Sequence, residues 1–385
     1  MSPIIWGKIG SRVMNIAFYA TMRRPDHSTP SGDRLMADLL IKALQKAGHD
    51  VRLVNSVRTF SHVPDEAARR RLKDRAHADA KALSARWSST TAEWRPACWF
   101  TYHPYYKAPD WLGPEICARL AIPYLTAESS YAPKRDSGPW HAWQADVVGA
   151  VRQAARNFCF TERDKAGLLR IEGRRGLLVD LPPFIDPGAN SAAVGQRTNN
   201  NPPRLVTVAM MRADDKLASY RVLANALAGL LDIPWVLTVI GDGPKRAAVR
   251  DHFSRIPPGR LEWRGELSPD GVLSQLAACD IYVWPGIGEA YGLAYLEAQA
   301  AGLPVIAQST AGVPAVVKDG ITGFLTPFGD VQAFAQAVRR LLVDRERRAQ
   351  LGNAARHFVL QERTVARAAV IMDAALRSIA AEPIP

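Results

Sequence analysis

Three groups of residues in the second half of the chain combine types and spacing suited to an anionic, hydroxyl-rich ligand. The first is Gly286-Ile287-Gly288-Glu289-Ala290-Tyr291-Gly292-Leu293-Ala294-Tyr295-Leu296-Glu297. An apolar strand is expected just before it, its glycines allow a tight turn, and a helix is expected to start near Gly292. The unpaired N–H groups of a helix start, together with the helix dipole, attract anions. Glu289 and Glu297 flank that start, separated by roughly 10–12 Å if the stretch between them is mostly helical. That is about the span from hexose to ribose in an extended sugar nucleotide. One carboxylate could accept hydrogen bonds from each sugar, with the diphosphate between them. Read alone, the spacing fits two surface glutamates beside a glycine turn equally well.

The second group is Arg212 and Lys216, just after an apolar strand expected at 205–210. Two cations at a strand's carboxyl end can offset diphosphate charge, and Arg can bond phosphate in a bidentate way. Asp214 and Asp215 lie between them and are alternative partners. The third is Gly241-Asp242-Gly243-Pro244, after a strand expected at 235–240. Its glycines let backbone approach a ligand, although the turn is also a common structural one. It lacks the third glycine of a dinucleotide fingerprint, which argues against a nicotinamide enzyme.

Positioning these groups requires a parallel sheet. A strand at 13–20 leads into a polar, proline-rich loop and then a helix over 33–46, with Leu35, Leu39, Leu40 and Leu44 on one face. Gly48 ends the helix, His49 follows, and a strand begins at 50–54, completing a βαβ unit. Strand ends are expected at 98–102, 123–126 and 156–161. The polar stretch Asn199-Asn200-Asn201-Pro202-Pro203 reads as a boundary region. Beyond it come strands at 205–210, 235–240, 280–284 and 304–307, helices at 220–231 and 293–301, and a helical end over 331–381. The expected architecture is α/β, with two doubly wound Rossmann-like domains over 1–195 and 196–364. They are expected to face an interdomain cleft, with a C-terminal helix near 365–385 packing back on the first.

The order and spacing of these motifs resemble the C-terminal domain of family 4 glycosyltransferases, which have the GT-B fold. Glu289 and Glu297 match that family's Glu, seven residues, Glu signature, with Tyr291 where phenylalanine is usual. The runs Ala301-Gly302-Leu303-Pro304-Val305-Ile306, Gly312-Val313-Pro314 and Asp319-Gly320-Ile321-Thr322-Gly323 also fit. The resemblance is dense over 205–330 and loose in the first domain. It implies a retaining, metal-independent transfer from a UDP- or GDP-linked sugar, a co-substrate, with no resident cofactor, to a glycan, lipid-linked or small-molecule acceptor. Glu289 would touch the donor hexose and Glu297 the ribose. Arg212 and Lys216 would grip the diphosphate, and the turn from Gly241 through Asp242 to Gly243 would lie on the nucleotide side. The backbone of Gly292 and Leu293 would hold phosphate, with Ala290 and Tyr291 completing the donor loop. The leaving diphosphate would assist deprotonation of the acceptor, so catalysis would rest on stabilising that charge. In the first domain, Pro30-Ser31-Gly32-Asp33 resembles the family's glycine loop with Gly32 alone. The histidine often found near the donor sugar is missing: Glu128-Ser129-Ser130 stands there, and His103 is the nearest candidate. The acceptor side is therefore expected at His103, Glu128 and Ser129, with Glu128 either raised in pKa or paired with Lys134 or Arg135.

Composition narrows the alternatives. The 385 residues carry a formal net charge of +12, which favours polyanions. The basic residues are dispersed, however, so nucleic acid is not expected as a partner. The stretch 65–87 mixes Arg69, Arg70, Arg71, Lys73 and Arg75 with Asp65, Glu66, Asp74 and Asp79, the pattern of a solvated helix face. Peripheral docking on an anionic membrane face is the other reading of that stretch. No segment is apolar enough to cross a bilayer or to serve as a signal peptide, so a cytoplasmic location is expected. The four cysteines, Cys98, Cys117, Cys159 and Cys279, are widely spaced, which argues for free thiols rather than zinc or disulfides. The chain has no Asp-x-Asp metal handle. The main rival reading is a catalytically silent GT-B protein with a binding or regulatory role. A sugar-nucleotide epimerase would need an acid–base pair, and the sequence shows no convincing one.

Overall fold

The structure is a computed structural model that describes residues 13–22, 31–171, 177–188 and 200–381. Two units separate by their internal contacts. Unit 1 comprises residues 1–160, 164–181 and 368–385; unit 2 comprises 161–163 and 182–367. The boundary expected at 195/196 lies outside the described residues.

Unit 1 runs β1 (Asn15–Ala20), α1 (Gly32–Lys46), β2 (Asp50–Leu53), α2 (Glu66–Ser88), β3 (Cys98–Tyr102), α3 (Gly113–Leu120), β4 (Tyr124–Ala127), α4 (His141–Gln153), β5 (Arg156–Cys159), α5 (Glu162–Leu168, in unit 1 from Asp164 onward) and β6 (Leu178–Asp180). Its strands are all parallel, in the order β2-β1-β3-β4-β5-β6. Unit 2 runs β7 (Arg204–Val208), α6 (Asp215–Ala228), β8 (Val236–Ile240), α7 (Arg246–His252), β9 (Leu261–Gly265), α8 (Pro269–Ala277), β10 (Ile281–Val283), α9 (Leu293–Ala300), β11 (Val305–Gln308), β12 (Gly323–Thr326), α10 (Val331–Val343) and α11 (Arg345–Glu362). Its sheet is also parallel, in the order β12-β11-β10-β7-β8-β9. This is the doubly wound Rossmann order, in which the direction of winding reverses between β7 and β10. The corresponding reversal in unit 1 falls between β1 and β3. Each unit therefore has the Rossmann-like build of a GT-B domain, with its ligand expected where the strand order reverses. The last helix, α12 (Val365–Ala381), belongs to unit 1 from residue 368 onward. There Asp373 lies 3.4 Å from buried His49, and Ser378 accepts a hydrogen bond from Arg156 at 3.0 Å.

β3, β4, β10 and β11 are buried along their whole length, and strands with both sheet faces covered carry near-continuous apolar runs. The helical period was legible, with shifts at the ends. In α1 the buried stripe is Met36, Ala37, Leu39, Leu40, Ala43 and Leu44, whereas Leu35 is 40% exposed. α6 begins at Asp215 rather than at 220, so Lys216 lies in a helix's first turn instead of a loop. The mixed-charge stretch is α2, anchored on unit 1 by Arg69 and Lys73, which both pair with Asp146. All four cysteines are free and buried.

A buried carboxylate ties the centre of unit 1 together. Asp110 accepts the N–H groups of Leu112 and Gly113 at 2.8 and 2.9 Å, opening α3. Its other oxygen accepts the hydroxyls of Thr101 at 2.5 Å and Tyr124 at 3.0 Å, while Trp99 donates to Thr101. Burial raises the Asp110 carboxyl, and these four donors oppose the rise. Removing the acceptor would leave several buried donors unsatisfied. Asp110→Ala is expected to destabilise the protein by roughly 3 kcal/mol or more. A urea titration of the variant against wild type measures this, and an unchanged midpoint would show that the knot contributes nothing.

Candidate functional site

Unit 2 gathers the sequence-predicted residues at the reversal of its strand order. β7 ends toward Arg212, α6 opens with Lys216, and β10 ends in the loop that carries Glu289. Lys216 Nζ forms an ion pair with Glu289 Oε1, with the two side chains 26% and 16% exposed. Trp284 Nε1 donates to the same oxygen at 2.9 Å, and the Lys216 ammonium sits 5.6 Å from the Trp284 ring centroid. Lys216 therefore pairs with Glu289, not with Asp214 or Asp215. Arg212 is exposed and has no ion pair among the described residues. The half-buried Glu297 carboxyl is raised by burial and has no side-chain partner among the described residues.

Two helix starts are open here. Ser31, Asp65, Ser268, Asp330 and Asp344 cap α1, α2, α8, α10 and α11 with side-chain oxygens. α6 and α9 have no side-chain cap. α9 begins directly after Gly292, whose φ of +80° is left-handed, and Leu293 opens its first turn. Uncapped helix starts of this kind leave N–H groups suited to an anion.

Buried hydroxyls fix the surrounding loops. The Tyr220 and Tyr282 hydroxyls donate to the carbonyls of Ala209 and Val208, at the end of β7. Tyr295 donates to the Trp284 carbonyl at 3.1 Å, and Ser219 Oγ accepts the Ile287 N–H at 3.0 Å. Ser219 thus links α6 to the Glu289 loop. The glycines of the third motif are explained by packing. A Cβ on Gly241 would lie 2.0 Å from the Ala209 carbonyl oxygen, and one on Gly243 would lie 2.5 Å from that of Met211. Asp242 accepts its neighbour's N–H at 2.7 Å and pairs with Arg246 at 3.1 Å. Gly312 matters for the same reason: a Cβ there would lie 1.7 Å from the Ala290 carbonyl oxygen. Ala290 is exposed and Tyr291 buried.

In unit 1, Gly32 opens α1 behind the Ser31 cap, and a Cβ there would meet open space. The loop before it, 23–30, lies outside the described residues. His103 and Glu128 directly follow the neighbouring strands β3 and β4, with left-handed φ values of +57° and +56°. Such conformations cost non-glycine residues about 1–3 kcal/mol each. His103 Nδ1 contacts Asp33 Oδ1 at 3.2 Å. Burial raises Glu128, the first of the two expected alternatives, and the cation opposing the rise is His103 rather than Lys134 or Arg135. Arg135 lies over the Tyr106 ring instead. Ser129 is buried and donates inward to Thr126 at 2.7 Å, which in turn donates to Asn157.

Sequence reasoning missed Trp284, Ser219 and the tyrosines beneath the loops. An aromatic residue just before Pro285-Gly286 was a usable signal for Trp284. Nothing in the spacing pointed to Ser219.

Comparison with known proteins places the fold and the sequence of unit 2. Residues 202–344 match the sequence model of the glycosyl transferases group 1 family. Over 290 residues the chain is 27% identical to D-inositol 3-phosphate glycosyltransferase of Streptomyces avermitilis, covering 68% of this chain and 61% of the relative. Over 123 residues it is 37% identical to sulfoquinovosyl transferase of Arabidopsis thaliana, covering 31% of this chain and 24% of the relative. The matched segments thus span less than two thirds of either relative. Among solved structures, sucrose-phosphate synthase from Thermosynechococcus elongatus superposes with a TM-score of 0.69 at 19% identity, covering 96% of this chain and 99% of that one. Anabaena HepE in complex with UDP-glucose superposes with a TM-score of 0.63 at 16% identity, covering 96% and 100%. The fold is GT-B.

Because Ala290 packs on Gly312, Gly312→Ala is expected to displace the loop that carries Glu289 and to cost about 1–3 kcal/mol. Thermal melting should show the loss, accompanied by weaker binding of UDP. Wild-type values for both would contradict the packing argument.

Proposed function

We propose, for a chain whose residues 202–344 are those of a group 1 glycosyltransferase, that it moves a sugar from a nucleotide diphosphate to a hydroxyl of a glycan, lipid-linked or small-molecule acceptor. The observation that carries this reading is the Lys216–Glu289 pair beside two uncapped helix starts at the strand-order reversal of unit 2. Glu289, oriented by Lys216 and Trp284, accepts hydrogen bonds from the donor hexose. Glu297 binds the ribose, which supplies the partner its half-buried carboxyl lacks. The diphosphate lies on the N–H groups of Gly292 and Leu293, with Lys216 and Arg212 offsetting its charge. These groups gain most as the sugar–phosphate bond breaks and charge builds on the leaving oxygen.

In this reading the new bond forms on the face the diphosphate leaves, so anomeric configuration is retained. The charge compensation comes from the protein, without a metal ion. The donor is UDP- or GDP-linked. HepE, of like fold, holds UDP-glucose, and a mycobacterial relative is named as a GDP-mannose-dependent mannosyltransferase. Among the described residues no helix is long and apolar enough to cross a membrane. Any membrane contact is peripheral, through basic surface such as α2.

A thermal-shift screen over UDP-, GDP- and ADP-sugars identifies the donor, because a ligand that binds only the native state raises stability. Glu297→Ala and Lys216→Ala should each lower transfer by roughly 100-fold or more while leaving the fold intact. Turnover like wild type in either variant would refute the donor site. EDTA should leave the rate unchanged, whereas a rate restored only by added Mg²⁺ would refute metal independence.

A further inference from the structure

Arg58, Lys107 and Arg135 of unit 1 make no ion pair among the described residues. Each lies over an aromatic ring instead. Arg58 is 4.8 Å from the centroid of Phe60, and Arg135 is 4.5 Å from that of Tyr106. Lys107 is 5.8 Å from the Tyr106 centroid and 5.9 Å from that of Trp140. The three cations come from the loops that follow β2, β3 and β4, all at the carboxyl edge of the parallel sheet. The strand order reverses within that span, between β1 and β3, and doubly wound sheets bind ligands at such a place.

The loops are braced against one another. Tyr105 and Ala108 exchange backbone hydrogen bonds at 3.3 and 2.7 Å, so Tyr106 and Lys107 form the tip of a tight turn. The Ser61 N–H donates to the Lys107 carbonyl at 2.8 Å, tying the Arg58 loop to that turn. The Ser130 N–H donates to the Pro104 carbonyl at 3.3 Å and ties in the loop after β4. Arg135, on that third loop, donates to the Tyr106 hydroxyl at 3.3 Å, while its Nε is buried without a hydrogen-bond partner.

The rings run in a file whose ends differ in charge. His103 stacks on Tyr105 at 4.9 Å, Tyr105 meets Tyr106 at 5.3 Å, and Tyr106 meets Trp140 at 5.1 Å. Tyr105 and Tyr106 are only half-buried. Asp33 contacts His103 at one end, and two of the cations flank Tyr106 at the other. Burial raises the Tyr105 hydroxyl; Asp33 and Tyr106 add to the rise and Arg58 opposes it, so an acid and a cation both act on that one ring. Carboxylates accept hydrogen bonds from hydroxyls, and aromatic rings pack on the C–H face of a sugar. Cations without a counter-ion attract an anion. Contacts between cations and rings stiffen loops, but that role alone does not call for three charges gathered without an acid partner.

We propose that this edge of unit 1 binds a sugar carrying a phosphate or carboxylate group, with its ring on Tyr105 and Tyr106 and its anionic group among Arg58, Lys107 and Arg135; its role as the acceptor rests on the transferase reading above.

The test is calorimetric titration of the full chain at neutral pH, without nucleotide. The probes are glucose 6-phosphate, glucose 1-phosphate, glucuronate, glucose and inorganic phosphate. At least one anionic sugar should bind about tenfold more tightly than both glucose and inorganic phosphate. Whether the phosphate esters or glucuronate binds best identifies the anionic group. Arg58→Gln, at an exposed position, should weaken that binding about tenfold and keep the wild-type melting temperature. Lys107→Gln should weaken it to a similar degree. The proposal is overturned if no anionic sugar binds, or if glucose or inorganic phosphate binds as tightly as every one of them. Wild-type affinity in both variants overturns it too, even where Lys107→Gln melts earlier, because the cations would then only stiffen the loops. The transferase reading has its own readout, the thermal shift with sugar nucleotides. A shift without anionic-sugar binding refutes the present proposal alone. Anionic-sugar binding without a shift refutes the transferase reading, and the acceptor role with it.

Discussion

The ion pair between Lys216 and Glu289 is the contact on which the account of unit 2 depends. It joins the first turn of α6 to the loop ahead of α9, two segments 73 residues apart in sequence. Buried charges are tolerated only when paired and hydrogen-bonded, and Trp284 supplies the added donor at 2.9 Å. The pair holds Glu289 in one orientation before any ligand arrives. Preorganised polar groups of this kind stabilise developing charge without rearranging at the moment of reaction.

Both units apply one topological device to different chemistry. In unit 2 the strand-order reversal collects cations, uncapped helix starts and two carboxylates, suited to a phosphate ester of a sugar. In unit 1 the same reversal collects carboxylates around one imidazole, with His103 and Glu128 in backbone conformations that non-glycine residues rarely adopt. Strain of this kind persists where the surrounding structure holds it, and it gathers at functional sites. Here the Ala127 carbonyl accepts the His103 N–H, and the Phe158 carbonyl accepts that of Glu128, both at 2.9 Å.

Much of the fold was legible because its signals are local. Apolar runs of four to six residues, helical stripes and glycine stops placed most of the parallel strands. β6, β9 and β12 escaped notice, being short or too polar to stand out, as in Leu261-Glu262-Trp263-Arg264-Gly265. The start of α6 was hidden because Asp214 caps it with a positive φ and without a side-chain bond, a conformation the sequence does not advertise. In the site, the Glu289 and Glu297 spacing was readable, but the partner of Lys216 was not. Asp215 lies next to it in sequence, whereas Glu289 is near only after the sheet brings β7 and β10 together. The Asp33–His103–Glu128 cluster was half visible: its members were noticed singly, and only parallel pairing of β3 with β4 sets the last two side by side.

The most direct measurement is a crystal structure of the protein soaked with UDP. The account predicts the diphosphate over the N–H groups of Gly292 and Leu293, within hydrogen-bond reach of Lys216, with the ribose against Glu297. Nucleotide bound elsewhere on unit 2, or a diphosphate away from the start of α9, would contradict it.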